Sequence, residues 1–440
     1  MSKFMNVIIV AHERSLNKAE GLLNAYRAHN VTLVVDNEPD TSLKPYVQDA
    51  RKVLVVKGFE LLNIVNRVPK CDKVWCISEN LLPLQSQLES HYGIDNLNPF
   101  AAEVLSNKQR LDDYCRLIGL SEYVPMSVTP TFHSQLDIFK NKELFTKPDI
   151  GTGSNPSFFG NELNVEYRRW NNKHHFLQNL KDKNKHNDFF SSNKKGIHTQ
   201  RFNYKPCKIM VQEYFWSEEP SLIPVGIVRN GIVNNLCYLK TTKVKYGEQL
   251  DANKNPVELH SNSRTSDIAK DLAVWIVSND EIDEDRHNKM QHFLQTLITN
   301  LQIKDLIFTG PDFHVSNDKL IAIDFNPRPG QFMNILDKVN DYKLFENIVA
   351  NKEVTIDNQL LWGCSMLTPG TITELSGVNK INKYLNAQNT ELAAGMTIPK
   401  FQNLQNKSFN VNLDIVGKNE QELFNKYKQV NQLLQNCITY

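Results

Sequence analysis

The sequence has no excess of charge of either sign: 50 lysines and arginines stand against 49 aspartates and glutamates among its 440 residues. Nucleic acids and anionic membranes select basic surfaces, so the composition gives no reason to expect either partner. Apolar runs of about 18 residues are missing too, and the first apolar run is too short for a signal peptide. We therefore expect a cytoplasmic enzyme.

Cysteine and histidine spacings typical of a metal site are also missing. The seven cysteines are scattered, and their odd number and apolar neighbours indicate reduced, structural thiols. The histidines of the Asn- and Lys-rich stretch at 161–205 are not spaced for tetrahedral zinc. We expect residues 181–195 to form a mobile insertion, with an active-site cover nearby.

Short apolar strands alternate with helical stretches through the first hundred residues, which predicts an α/β domain with a parallel, Rossmann-like sheet. The predicted strands lie at 6–11, 31–35, 52–56 and 73–78, with an amphipathic stretch through Ala28 and a helix at 82–92. No G-x-G-x-x-G follows the first strand, so a dinucleotide fingerprint is absent. His12, Glu13 and Glu79 lie just past strand ends, where such sheets bind ligands, although each is also an ordinary polar loop residue.

Two glycine-containing segments follow. Residues 101–118 are predicted to be one helix that ends at Gly119, with Lys108 on it. Residues 144–148 read as a strand containing Lys147, and the turn after it contains Gly151, Gly153 and Ser154. Glycine lets the backbone approach a ligand, and exposed N–H groups with a serine hydroxyl bind phosphate oxygens, but as a bare turn this is a weak signal.

The second half of the chain alternates strands and helices. A strand at 209–215 precedes a hairpin about Asn230-Gly231, which is a strong turn signal. We predict helices at 265–276, 285–300 and 421–435, and antiparallel strands at 360–367, 370–375, 396–399 and 410–416.

A polar set on residues 305–330 is the most informative feature of the sequence. Two apolar runs around a polar turn predict a β-hairpin, and strand alternation puts Asp324 and Asn326 on one face, with Asp312 opposite. Two carboxylates and an amide oxygen suit Mg²⁺, and Arg328 adds a planar fork for a phosphate or carboxylate. Spacing alone leaves a solvated surface hairpin as an equal alternative.

The pattern Asp-x-Asn-Pro-Arg after an acid on the neighbouring strand resembles the ATP-grasp superfamily, in which the acids are frequently Glu. The resemblance extends over nearly the whole chain, and its motifs occur in order. It implies ATP and Mg²⁺, or Mn²⁺, as cofactors, with Asp312, Asp324 and Asn326 on the metal. It also implies that Arg328 is catalytic and holds the carboxylate or acyl phosphate.

The same resemblance implies the nucleotide contacts. Lys108 and Lys147 would meet phosphate oxygens, with Lys147 also catalytic, and the loop of Gly151, Gly153 and Ser154 would close over them. The strand containing Gln212, Tyr214 and Phe215 would pass the adenine. Glu213 would take the ribose hydroxyls, with Glu219 as a second acid, although Glu213 is also read as a plain strand-end acid.

The domain organisation follows from the same resemblance. It implies a Rossmann-like domain at 1–98, an ATP-grasp domain at 99–353 with a lid at about 125–208, and a small antiparallel β domain at 354–440. The segments at 369–372 and 417–422 resemble the C-terminal domain shared by biotin carboxylases, purine-pathway carboxylases and L-amino acid ligases.

The reaction implied is a carboxylate-amine ligation through an acyl phosphate, giving ADP and phosphate from small-molecule acid and amine substrates. Two alternatives stay open: a bicarbonate-activating carboxylase, which would need a partner because no biotin-carrier Met-Lys-Met segment is present, and a non-catalytic ATP-binding regulator. A homodimer is common among similar proteins.

Overall fold

A computed structural model describes residues 4–39, 48–130, 135, 138–139, 144–149, 209–213, 215, 219–243, 249–250, 256–257, 271–316, 319–366, 370–385, 393–398 and 410–439. The histidine-containing stretch at 161–205, the predicted mobile insertion and the glycine turn after Lys147 lie outside these ranges. Within them, no helix has the length and apolar character that a membrane crossing requires.

The N-terminal sheet is parallel, as predicted. Its strands are β1 (Asn6–Ala11), β2 (Asn30–Val35), β3 (Lys52–Val55) and β4 (Lys73–Cys76), in the order β3-β2-β1-β4. The helices of this part are α1 (Glu20–Ala25), α2 (Leu61–Val65) and α3 (Leu82–Tyr92). The amphipathic stretch through Ala28 is not one helix, because a 3₁₀ helix at Glu13–Lys18 precedes α1.

The single helix predicted at 101–118 is two helices, α4 (Pro99–Leu105) and α5 (Lys108–Leu117). Asn107 separates them: its backbone is extended, and its side chain accepts a hydrogen bond from Arg110 N at 2.9 Å. An Asn that caps a new helix competes with continuation of the previous one. Lys108 is therefore the first residue of α5.

A small antiparallel sheet follows, with the order β5-β7-β6. Its strands are β5 (Ser127–Val128), β6 (Leu144–Pro148) and β7 (Ile209–Glu213). The strand predicted at 144–148 is confirmed, and the one predicted at 209–215 ends at Glu213.

A large antiparallel sheet forms the centre of the molecule. It begins with the predicted hairpin, β8 (Ser221–Arg229) and β9 (Ile232–Lys243), whose turn residues Asn230 and Gly231 have φ of 51° and 81°. The next elements are β10 (Gln249–Leu250), β11 (Pro256–Val257), β12 (Asp271–Val277), α6 (Glu284–Leu301) and β13 (Asp305–Thr309). β10 pairs with β11, and β12 pairs with β9.

The helix predicted at 265–276 is wrong for the residues described, which form β12. Its neighbours on both sides are strands, and its side chains bury on both faces: Val274 and Ile276 in one apolar cluster, Trp275 and Val277 in another. A short run buried on two faces carries no period that separates a strand from a helix.

The hairpin predicted next to the candidate metal-binding residues consists of β14 (Phe313–Ser316) and β15 (Lys319–Ala322), paired in antiparallel register. Helices α7 (Gln331–Val339) and α8 (Lys343–Val349) follow it. The predicted hairpin is confirmed, but the first apolar run divides: residues 305–309 form β13, which pairs with β8 as a separate strand.

The C-terminal segment adds two strands to the same sheet. β16 (Gln359–Met366), β17 (Gly370–Thr371), β18 (Glu374–Leu375), β19 (Thr397–Ile398), β20 (Asn410–Gly417), α9 (Glu420–Asn436) and β21 (Ile438–Thr439) complete the chain. The sheet order is β15-β14-β8-β9-β12-β16-β20. The sheet is thus continuous across the domain boundary that the sequence predicts near residue 354, and that boundary stays a prediction.

Candidate active site

The carboxyl edge of the parallel sheet meets the segment that follows β15. Glu79, just after β4, accepts a hydrogen bond from Arg328 Nε at 2.6 Å. Both side chains are buried, with 4% and 7% of their surface exposed. Because 249 residues separate them, this ion pair joins the N-terminal sheet to the candidate site.

Backbone hydrogen bonds hold the two candidate metal-binding aspartates side by side. Asp312 N donates to Asp324 O at 2.7 Å, and Ile323 N donates to Asp312 O at 2.9 Å. Asn326 exchanges both backbone hydrogen bonds with Thr309. The prediction that Asp324 and Asn326 lie on the second strand is wrong, since β15 ends at Ala322.

Gly310 lies close to the chain that follows β15. Its φ is +125°, and a side chain at this position would meet Asn326 N at 3.2 Å and Asp324 O at 3.4 Å. The chain after β15 therefore crosses close to the backbone that links β13 and β14. This approach needs glycine, which has no Cβ.

The donor set fits a hard cation. The side chains of Asp312 and Asp324 are 17% and 41% exposed, and the amide oxygen of Asn326 accepts from Arg328 Nη2 at 3.0 Å. In the described part of the chain no three His, Cys, Asp or Glu side chains group as a metal site. Two carboxylates and an amide leave coordination positions for phosphate and water, as Mg²⁺ prefers.

Lys108 lies opposite the aspartates. Its Nζ is 3.6 Å from Asp324 Oδ1, and its backbone N donates to Asp149 O at 2.7 Å. Asn107 Nδ2 donates to Asp149 Oδ2 at 3.0 Å, which ties the start of α5 to the end of β6. Burial lowers the pKa of Lys108, but Asp324 and Glu79 oppose it, and the pKa is raised overall.

The structure describes only part of the remaining residues predicted to bind the nucleotide. Lys147 lies on β6 opposite Met210, with its backbone alone described, and Gly151, Gly153, Ser154 and Tyr214 lie outside the described residues.

The Gln212 side chain is buried and donates to Asp112 Oδ2 at 3.3 Å, while Glu213 N donates to Met126 O at 2.8 Å. The Phe215 carbonyl lies 3.0 Å from His314 Nδ1. His314 lies on β14, so its ring links the segment around Phe215 to the hairpin. Its Nε2 is 3.9 Å from Asp312 Oδ1.

Glu219 is not brought to the other predicted residues by the contacts described. It is exposed and receives two hydrogen bonds from Arg286 of α6, at 2.6 and 3.0 Å. The Arg286 hydrogen bond lowers the pKa of Glu219. A role for Glu219 at the nucleotide stays a prediction.

A small cleft opens beside the charged groups. Its lining combines charged Glu79, Lys108 and Asp324 with apolar side chains, among them Leu111 and Phe325. A largely apolar cleft with a few convergent charges is the usual form of a small-molecule site.

Solved structures with the same overall fold are known. An L-amino acid ligase from Bacillus licheniformis superimposes with a TM-score of 0.61 at 13% identity over 100% of both chains. The N5-carboxyaminoimidazole ribonucleotide synthetase from Thermotoga maritima gives 0.57 at 12% identity, over 98% of this chain and 99% of that one. Carboxyaminoimidazole ribonucleotide synthase from Aspergillus clavatus, complexed with ATP, gives 0.56 at 10% over 99% of both.

The chain has the ATP-grasp fold. No protein-family model matches the sequence, and no curated protein matches it significantly. The resemblance in the motifs and the similarity in three dimensions thus agree on the fold at an identity too low for ordinary sequence comparison to detect.

Lys18 is a partly buried charged residue that the motifs did not indicate and that is electrostatically coupled to Arg328 and Glu79. It ends the 3₁₀ helix after β1; burial, then Arg328, lower its pKa to about 8, and Glu79 opposes the shift. The signal available in the sequence is its position shortly after a parallel strand, in the segment that also contains His12 and Glu13.

Proposed function

We propose that this protein is an ATP-dependent carboxylate-amine ligase that forms an amide or peptide bond through an acyl phosphate. The observation that carries the proposal is a chain of contacts, from Lys108 to Asp324, from Asp324 to Asp312, and from Asn326 to Arg328, that groups these five residues together. This is the set of charges that transfer of a phosphoryl group to a carboxylate requires.

The proposed first step joins two anions. A substrate carboxylate oxygen attacks the γ-phosphorus of ATP, the bond to the bridging oxygen breaks, and ADP leaves. Lys108 and Arg328 offset the repulsion between carboxylate and triphosphate, since cations in a cleft shielded from water act more strongly than in bulk solvent. Lys147 and the turn of Gly151, Gly153 and Ser154 belong to the same proposal as further phosphate contacts.

The second step consumes the acyl phosphate. The amine nitrogen attacks the acyl carbon, the carbon–oxygen bond to phosphate breaks, and the amine proton is released to a base or to water. In this proposal Arg328 holds the reacting acyl group, which is supported by the way Glu79 and Asn326 fix its guanidinium. A fixed planar fork suits a carboxylate or phosphate better than a mobile lysine does.

Asp312, Asp324 and Asn326 would hold Mg²⁺, which neutralises charge on the ATP phosphates when it is bound. Nucleotide binding in this proposal also uses β7 and the residues just after it, namely Gln212, Glu213 and Phe215. Gln212 donates to Asp112, and the Phe215 carbonyl contacts His314.

A bicarbonate-activating carboxylase is the alternative that a specific observation favours. The carboxyaminoimidazole ribonucleotide synthetases superimpose nearly as well as the L-amino acid ligase, with TM-scores of 0.57 and 0.61. Both chemistries begin with the same attack on ATP. They differ in whether the phosphorylated acid is a carboxylic acid or bicarbonate.

The test is phosphate release from ATP and Mg²⁺ against amino acids singly, in pairs, and beside bicarbonate. Under the ligase proposal, release depends on a pair of substrates and is lost in Asp324→Asn. Asp285→Asn is the matched control, because this exposed aspartate of α6 pairs only with Lys289 in the contacts described. Release with bicarbonate alone would favour the carboxylase, and ATP binding without turnover would favour a regulator.

A further inference from the structure

His314 shares a face of its strand with a candidate metal ligand. It is the second residue of β14 and lies two positions after Asp312. Phe313 and Val315 belong to a large apolar cluster, so strand alternation turns His314 away from that cluster. Side chains two positions apart in an extended chain lie on the same face, which brings the ring of His314 to Asp312.

One ring nitrogen of His314 binds the segment that follows β7. Nδ1 lies 3.0 Å from the Phe215 carbonyl, and the histidine is only 7% exposed. A carbonyl oxygen can only accept a hydrogen bond, so Nδ1 carries a proton and donates it. This bond fixes the orientation of the ring and leaves Nε2 at its opposite end.

The other ring nitrogen lies against the candidate metal site. Nε2 is 3.9 Å from Asp312 Oδ1, a separation longer than a direct hydrogen bond and within the range of a contact between charged or polar groups. Asp312 N donates to Asp324 O at 2.7 Å. A displacement of Asp312 by the ring therefore also acts on the second candidate aspartate.

The two contacts join two parts of the site through one rigid group. The nitrogens of an imidazole cannot move independently of each other. Phe215 lies two residues after β7, the strand assigned to the nucleotide base in the proposed function, and Asp312 is assigned to the cation. A change in the position of the Phe215 carbonyl is thus transmitted to the Asp312 carboxylate, and the reverse holds equally, since coupling between two sites is reciprocal.

We propose that His314 is a positioning residue that couples binding of the nucleotide base to binding of the divalent cation. Nδ1 holds the Phe215 carbonyl, and Nε2 holds the Asp312 carboxylate in the orientation that the cation requires. A base bound beside Phe215 fixes the ring and so orders the metal ligand before the cation arrives, which makes the coupling positive. The inference rests on the proposed function, because that function supplies the nucleotide and the cation.

Adenosine and Mn²⁺ are the probes for this coupling. Adenosine has no phosphate with which to bind the cation, so any linkage between the two passes through the protein. Free Mn²⁺ is measured by electron paramagnetic resonance with and without saturating adenosine, and adenosine binding is measured by calorimetry with and without Mn²⁺, all at one pH. We expect each ligand to raise the wild-type affinity for the other about fivefold.

Two variants separate the two contacts of the ring. In His314→Asn the amide nitrogen replaces Nδ1 as the donor to Phe215, and in His314→Gln the longer side chain keeps a polar group at the position of Nε2. His314→Asn should keep the affinity for adenosine and lose about fivefold in affinity for Mn²⁺, the loss of one polar contact, and His314→Gln should do the reverse. Neither variant should retain the coupling, and His314→Leu should lose both affinities and the coupling.

His287→Leu is the matched control. His287 of α6 also joins its element to the central sheet by one ring hydrogen bond, with Nδ1 3.0 Å from the Tyr238 hydroxyl, and in the contacts described it touches neither Phe215 nor Asp312. We expect its affinities and coupling to equal those of the wild type. A general loosening of the fold would weaken both affinities in every variant, whereas the proposal requires opposite responses from His314→Asn and His314→Gln. These two variants also decide the matter if His314→Leu does not fold.

The outcomes separate this inference from the proposed function. Wild-type binding of both probes without coupling, or coupling that persists in the His314 variants, overturns the inference alone. Failure of the wild type to bind adenosine or Mn²⁺ overturns both the inference and the proposed nucleotide site. Coupling that depends on His314, together with no turnover in the phosphate-release panel, supports the inference and counts against the ligase function alone.

Discussion

At the scale of single residues, the buried pair of Glu79 and Arg328 has a direct consequence for stability. Removing one partner of a buried pair typically costs about 3–5 kcal/mol, because the other charge is left uncompensated. We expect Glu79→Gln to fall in this range, since it leaves Lys18 and Arg328 together without a carboxylate. Arg328→Met should cost less, because Lys18 and Lys108 remain near Glu79. Urea unfolding measures both.

An exposed ion pair supplies the control for this comparison. Glu103 and Arg110 pair on the surface with side chains 53% exposed, and such pairs contribute about 0–1 kcal/mol. Glu103→Gln should therefore leave the unfolding free energy nearly unchanged. Equal costs for Glu79→Gln and Glu103→Gln would show that the site's charges are hydrated and not coupled.

Asp337 makes stability depend on pH at one residue. Burial raises its pKa to about 6, although Phe345 N donates to its Oδ1 at 3.1 Å and lowers the shift. The folded protein therefore binds the proton more tightly than the unfolded chain. Stability from this group is present at low pH and is lost as pH rises through about 6.

We expect Asp337→Asn to remove that dependence. The raised pKa corresponds to about 3 kcal/mol, so the variant should gain stability relative to the wild type by up to this amount between about pH 4 and about pH 7. Urea unfolding at several pH values measures the difference, with the exposed Asp341→Asn as control. Parallel profiles for wild type and Asp337→Asn would contradict the prediction.

At the scale of elements, the start of α5 decides where Lys108 lies. Asn107 caps the helix at 2.9 Å and holds Asp149 at 3.0 Å. Asn107→Ala should cost about 1–2 kcal/mol, as loss of a helix cap does, and should weaken ATP binding if Lys108 meets phosphate. Thermal unfolding and nucleotide titration measure the two effects.

Asn98 provides a close match for this variant. It caps α4 through Ala101 N at 2.8 Å and donates to Leu301 O at 2.7 Å, so it too makes a cap and a tertiary hydrogen bond. Asn98→Ala should lose similar stability with ATP affinity unchanged. Equal loss of ATP affinity in both variants would assign the effect to general destabilisation instead of to Lys108.

The same elements show where sequence patterns are sufficient. The parallel strands and the hairpin at Asn230-Gly231 were predictable because their signals are local: β-branched runs and a turn that requires positive φ. β12 was not, because its burial on two faces is created by strands far away in the chain. The break before Lys108 was readable in principle from the capping Asn.

The candidate site divides in the same way. Asp312, Asp324, Asn326 and Arg328 could be found because they lie within 17 positions of one another in a recognisable pattern. Asp324 and Asn326 lie beyond the end of β15, where the chain passes close to Gly310. This approach is a tertiary contact, which the local sequence does not show. Asn334 joins the segment around Lys18 to the helix after Arg328 across more than 300 residues, and no local pattern carries that information.

At the scale of the whole molecule, one apolar cluster joins the parallel sheet to the large antiparallel sheet. Val7 and Ile9 of β1, Val225 and Ile227 of β8, and Phe345 of α8 belong to it. Because these side chains are buried together and protein interiors are close-packed and deform little, the cluster fixes the two sheets relative to each other. The geometry of the cleft between them is therefore set by packing as well as by the ion pairs.

Gly21 lies at a tightly packed point of this cluster, and Gly21→Ala tests it. A Cβ there would overlap the ring of the buried Phe345 and lie 2.7 Å from Asn334 Oδ1. At an unconstrained helix position this change stabilises by about 1 kcal/mol, whereas overpacking typically costs about 1–3 kcal/mol, so the sign decides. We expect destabilisation in urea unfolding, because α1 must move away from Phe345 and Asn334. Asn24→Ala, in the same helix without the clash, should keep the wild-type stability. A stabilised Gly21→Ala would show that α1 does not dock as closely as the Asn334 hydrogen bonds require.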